Sequence, residues 1–229
     1  SLHDALPIYN MRFFFLIALI STGLMISSCG GSKTTDLSKP FCDTACFSDS
    51  LIFAGEHPLK PYVIISGDNC KADTITWSFK SLKNYRKISI PDVMKRDIAL
   101  NPDYLRCYIR DTSFAFLIFN DCISGRGYWL KLPFNKTADI GRKSGALNNF
   151  DRKFSMPDNI VAYTDRGNLF IEDITNGKTA MMSFGEDTGL DFDAIHETID
   201  SVNITPARIW AKVNLGGKWA ELQKDIQLK

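Results

Sequence analysis

From residue 50 onward the chain is a succession of short apolar runs rich in Val, Ile, Phe, Tyr and Trp, each cut off by Gly, Pro, Asn or Asp. Such runs are too short and too β-branched for helices, and their side chains alternate with a period near two, so each reads as a strand. The expected strands are Leu51–Ala54, Tyr62–Ser66, Thr74–Phe79, Lys87–Ile90, Leu105–Arg110, Phe114–Asn120 and Gly127–Leu132. After them come Ile160–Thr164, Leu169–Ile174, Thr179–Phe184, Ser201–Ile204, Ala207–Val213 and Lys218–Gln223. Helical periodicity is weak and confined to Pro91–Ile98 and Leu190–Ile199. The Gly-, Asn- and Lys-rich stretch Asn135–Asn149 reads as a long loop, a length usually reserved for functional or mobile segments.

The punctuation between runs has its own chemistry. Asn176-Gly177 is a strong hairpin signal, and Asp165-Arg166-Gly167-Asn168 supplies a glycine where positive φ is needed. Leu215-Gly216-Gly217 closes the last hairpin. Residues 102–134 and 157–184 both run Pro-Asp, strand, charged turn, strand, Gly-containing turn, strand; residues 205–228 match the second half of that plan and residues 61–90 match it loosely. The expected fold class is therefore all-β, built of antiparallel meander units in a propeller-like arrangement. The alternatives are a β-sandwich or irregular barrel and, behind both, a mixed α+β fold.

The 229 residues are 45% hydrophobic and 23% charged, which excludes a disordered or fibrous chain. A formal net charge of +1 provides no basic field for a dedicated nucleic-acid binder.

The N-terminal region is of a different kind. Ser1–Ile8, SLHDALPI, resembles the frame translation of a common sequencing-library adapter, so residues 1–10 are set aside as an artefact before Met11. From Met11 the chain reads MRFFFLIALISTGLMISSC: Arg12 as a positive start, an apolar stretch from Phe13 to Ile26, and small residues leading into Cys29. That apolar stretch is shorter than the roughly 20 residues a spanning helix needs. Met25-Ile26-Ser27-Ser28-Cys29 resembles the lipobox of bacterial lipoprotein signal peptides. The resemblance implies cleavage before Cys29 and lipidation of Cys29. Residues 11–28 are then the signal peptide, 29–40 a lipidated tether and 41–229 one all-β domain. Residues 30–40, GGSKTTDLSKP, have tether composition. Gly30 follows the acceptor where Asp would mark inner-membrane retention, so the implied destination is the outer membrane of a bacterial envelope.

Export makes disulfides the default for Cys42, Cys46, Cys70, Cys107 and Cys122. Cys107 and Cys122 fall in neighbouring strands and form one expected bridge. Cys42 or Cys46 with Cys70 forms another, stapling the N-terminal segment to the first hairpin. Five is odd, so one thiol is left over. Cys42-Asp-Thr-Ala-Cys46 lacks the second ligand pair that a zinc site needs.

Three groups of residues could carry function. Asp191, Asp193 and Glu197, beside His196, could offer hard oxygens to Ca²⁺, although the calcium-loop pattern is not met. Their other reading is a solvated turn entering a short helix. His57 sits in the turn Gly55-Glu56-His57-Pro58 and reads as a turn support. The third group is aromatic: Trp77, Trp129, Trp210 and Trp219 all fall in expected strands, where core packing is the ordinary role. In Ala207–Val213, alternation places Arg208, Trp210 and Lys212 on one face and Ile209, Ala211 and Val213 on the other. If the aliphatic face is the core, Trp210 stands outside beside two cations, which makes Trp210, with Trp129, the candidate contact residue. No catalytic residue, cofactor or metal is assigned. The expected function is a membrane-anchored envelope lipoprotein whose β-rich domain is structural or binds an envelope protein or glycan. The alternative is a periplasmic or cell-surface hydrolase using the acidic and histidine residues near 191–197.

Overall fold

The computed structural model describes residues 46–184 and 198–229. The signal segment, Cys29, Cys42 and the tether lie outside them, as do Asp191, Asp193, His196 and Glu197.

The chain is predominantly β. The first sheet is a meander of β1 (Leu51–Ala54), β2 (Tyr62–Asp68), β3 (Lys71–Ser78) and β4 (Arg86–Ser89). A short helix follows, α1 (Ile90–Met94), capped by the Ser89 hydroxyl, which accepts the Asp92 N–H, and begun by Pro91. It stops at Met94 because Lys95 turns into the left-handed region, so the Pro91–Ile98 segment yields only one turn of helix.

The second sheet is built from β5 (Leu100–Ile109), β6 (Phe114–Asp121), β7 (Gly127–Pro133), β8 (Gly141–Leu147), β10 (Ile160–Asp165), β11 (Asn168–Asp173) and β12 (Thr179–Ser183). It runs β12-β11-β10-β8-β7-β6-β5, antiparallel throughout. The third sheet contains β9 (Phe154–Ser155), β13 (Ile199–Thr205), β14 (Arg208–Leu215) and β15 (Lys218–Asp225), in the order β15-β14-β13-β9, with β9 parallel to β13.

Residues 102–134 and 157–184, similar in sequence plan, are not separate blades. They join edge to edge through β8 into the same seven-stranded sheet, and none of the three sheets closes on itself. The joining strand β8 lies inside Asn135–Asn149, so that segment is not the structureless loop its composition suggests. Glycine at its contacts has a steric reason: a Cβ on Gly145 would collide with Thr164, and one on Gly127 of the neighbouring β7 with the Ala146 carbonyl.

The other two sheets pack on one face of the central sheet. The first meets β5–β7 through Val63, Ile65, Ile75 and Trp77 against Leu117, Phe119, Leu130 and Leu132. The third meets β10–β12 through Ile204, Ile209, Ala211 and Val213 against Ala162, Leu169, Ile171 and Met182. Strand alternation then sends Phe116, Ile118, Trp129 and Val161 to the opposite face, where they form a third apolar cluster.

Candidate functional site

The outer face of the third sheet carries two indoles, one of them exposed. On β14, Ile209, Ala211 and Val213 are completely buried, which forces Arg208, Trp210 and Lys212 outward. Trp210 is half-buried there, flanked by Asn203 of β13 and Gln223 of β15. Further along β15, opposite Asn214, Trp219 is 53% exposed. Lys212 lies between the two indoles, with its ammonium 5.9 Å from the Trp219 ring centroid and 3.4 Å from the Asp200 carboxylate. A bulge between Ile199 and Ser201 brings Asp200 to that position. Trp219 was legible in the same way as Trp210: in Lys218–Asp225 its alternate neighbours are Glu221 and Gln223, while Ala220 and Leu222 face inward.

Trp129 does not belong to this surface. It is 4% exposed, because both faces of β7 are covered. It packs edge-on against Phe116 at 5.2 Å and Tyr163 at 5.6 Å, and its indole N–H meets no acceptor. Around it the ammonium of Lys131 lies 4.4 Å from the Phe114 ring and that of Lys143 lies 4.6 Å from Tyr163. Burial pushes the Tyr163 phenol above its ordinary pKa, with Lys143 partly offsetting it. The expectation that Trp129 offers an exposed contact is therefore corrected: it is the centre of an aromatic cluster on the back of the central sheet.

Beside that cluster, Arg106 donates to Asn149 Oδ1 at 2.9 Å and pairs with Asp158 at 3.3 Å, and its guanidinium lies 4.9 Å from the Phe150 ring. Arg106, Asn149 and Asp158 border a cleft with Tyr108 and Ile118, whose enclosed space is of the order of a single water. It is too small for an organic ligand.

Cys46 and Cys70 form a disulfide and tie the start of the described chain to the β2–β3 turn. Cys107, by contrast, is a free thiol, while Cys122 is disulfide-bonded elsewhere. The expected Cys107–Cys122 bridge fails on register. Cys107 sits opposite Leu117, and Cys122 lies past the end of β6, five residues beyond that partner, about 16 Å along the strand and out of bonding range. Nδ1 of His57 accepts the Leu59 N–H at 3.2 Å, supporting its turn. Among the described residues no group of three His, Cys, Asp or Glu side chains could hold a metal ion; Asp191, Asp193 and Glu197 lie outside them.

No protein-family model matches the chain, and no curated protein matches it.

Proposed function

We propose that the protein is a lipoprotein of a bacterial cell envelope, anchored to the outer membrane through lipid on Cys29. Its β-rich domain is a binding module that engages an envelope component through the outer face of the third sheet. The observation that carries the binding role is Trp219, 53% exposed on the same face as Trp210. A folded domain gains little by leaving an indole in water, whereas indoles are enriched where surfaces recognise partners. The lipobox-like residues Met25–Cys29 support the anchor, and multiple acyl chains hold far more firmly than one.

Metabolic labelling with a palmitate analogue, followed by membrane fractionation, tests the anchor. Wild type should carry label and pellet with membranes, and Cys29→Ser should do neither. Equal behaviour of the two proteins overturns the anchor. Purified Cys29→Ser protein added to washed envelopes tests the binding role. It should co-sediment, and should cease to do so when Trp210 and Trp219 are both replaced by Ala. If it stays in solution, the binding role falls.

A further inference from the structure

The outer face of β13–β15 has a composition that selects among ligands. Among the described residues its apolar content is the two indoles. Trp210 and Trp219 stand opposite Gln223 and Asn214, so they lie four residues apart along the strand pair, about 13 Å. A ligand that touches both must be extended and must present flat apolar patches at intervals. Around the indoles the polar groups are the amides of Asn203, Asn214 and Gln223, each able to donate and to accept.

Each cation among the described residues of this face has a carboxylate beside or opposite it. Lys212 pairs with Asp200 at 3.4 Å and stands opposite Glu221 across the strand pair, while Arg208 stands opposite Asp225. Among the described residues no unopposed cation is left to recruit an anionic polymer. Nor, among the described residues, is there an apolar pocket on this face to receive the anchoring side chain that centres a protein interface.

We infer that this face binds a neutral linear polysaccharide, laid along β14 and β15. The indoles of Trp219 and Trp210 stack on the C–H faces of sugar rings, and Asn203, Asn214 and Gln223 exchange hydrogen bonds with hydroxyl groups. The inference rests on the binding-module reading and specifies its ligand.

Calorimetric titration of the purified full chain with chitohexaose and cellohexaose tests it, with the matching disaccharides and polygalacturonate as comparators. At least one hexasaccharide should bind saturably, more tightly than its disaccharide and with little dependence on salt. Trp219→Ala should weaken binding by about threefold to tenfold, the range of a single aromatic contact. Gln223→Ala, on the same exposed face, should weaken it as well, while Trp129→Phe, behind the central sheet, should leave it unchanged. Should Trp210→Ala fail to fold by circular dichroism, Trp219→Ala and Gln223→Ala still decide.

Absence of binding by both hexasaccharides overturns the inference, as does binding of polygalacturonate alone that disappears at high salt. Co-sedimentation with envelopes separates the two levels. If that association persists and depends on Trp210 and Trp219 while both sugars fail, the polysaccharide is wrong and the module stands, with a protein as its ligand. If neither assay shows binding, both readings fall.

Discussion

Lys131 on β7 places its ammonium 3.6 Å from the carboxylate of Glu172 on β11, although β8 and β10 lie between those strands. Three strand spacings put the two backbones about 14 Å apart in a flat sheet. Two side chains meeting over that span require the central sheet to curl, with its back face concave. The rings of Phe116, Trp129 and Tyr163 fill the hollow. Glu172 is nearly buried, with its side chain 12% exposed, and the Lys131 ammonium is the cation that pairs with it. Lys131→Met should destabilise the protein by about 1–2 kcal/mol, because it strands a carboxylate in an aromatic setting. Adding Glu172→Gln should recover part of the loss, with a coupling of about 1 kcal/mol in a double-mutant cycle read by urea denaturation. Strictly additive losses would show that the pair does not hold the curl.

Two buried tryptophans differ in one hydrogen bond. Trp77 and Trp129 are 1% and 4% exposed, but only the Trp77 indole N–H has an acceptor, the Pro133 carbonyl at 2.8 Å. Replacement by Phe removes the same volume at each site. Trp77→Phe should therefore cost about 1 kcal/mol more than Trp129→Phe, the net worth of one buried hydrogen bond. The Pro133 carbonyl keeps a donor in Arg86, at 2.8 Å, so loss of the indole does not strand the acceptor. Chemical denaturation of the two variants checks it, and equal losses would count against the assignment.

The β11–β12 hairpin is pinned by a carboxylate. Asp173 accepts from the Thr175 N–H at 2.8 Å, from its hydroxyl at 2.6 Å and from the Asn176 amide at 2.9 Å. Desolvation pushes the Asp173 pKa up, but the hydrogen bonds from Thr175, Asn159 and Asn176 outweigh it and hold the pKa below the ordinary carboxylate value. A lowered folded-state pKa contributes stability that is present above the unfolded value, near 3.9, and lost as pH falls through the folded one. Asp173→Asn should cost about 1 kcal/mol at neutral pH, and the gap from wild type should narrow below about pH 4. Urea denaturation at the two pH values tests this; a gap independent of pH would remove the carboxylate from the account.

The strands were legible wherever one face of a sheet meets core and the other water, because alternation then survives in the sequence. Trp210 is the clearest case: Ile209, Ala211 and Val213 mark the inner face, and the indole must lie outside. Trp129 fails the same test for a physical reason. β7 is covered on both faces, so Tyr128, Trp129 and Leu130 are all buried and no alternation distinguishes them. β8 was invisible because Gly141-Arg-Lys-Ser-Gly145 has almost no strand propensity, and its place is set by β7 and β10 on either side. Pro102 lies within β5, where a register shift between Leu100 and Leu105 and an edge position accommodate it. Pairings across the chain, including those of cysteines, depend on register, which composition does not encode.

Register also divides the cysteines into structural and unreactive. Cys46–Cys70 closes a loop with a sequence separation of 24, so Cys46→Ser with Cys70→Ser should cost about 3 kcal/mol. Cys107 is half-buried against the first core beside Leu117, and desolvation there pushes its thiol up to about 12. Such a thiol is protonated at pH 8 and a poor nucleophile. Native protein should therefore resist a thiol reagent at Cys107 and become labelled at that position on unfolding, while Cys46, Cys70 and Cys122 stay unlabelled until reduction. A folded pKa raised above the unfolded value contributes stability that is complete below the unfolded pKa. That contribution should fall as pH rises from about 9 toward 12, and Cys107→Ala should flatten this alkaline loss. Peptide mapping after labelling, with denaturation midpoints between neutral and alkaline pH, measures both. Rapid labelling of Cys107 in the native protein would contradict the raised thiol pKa.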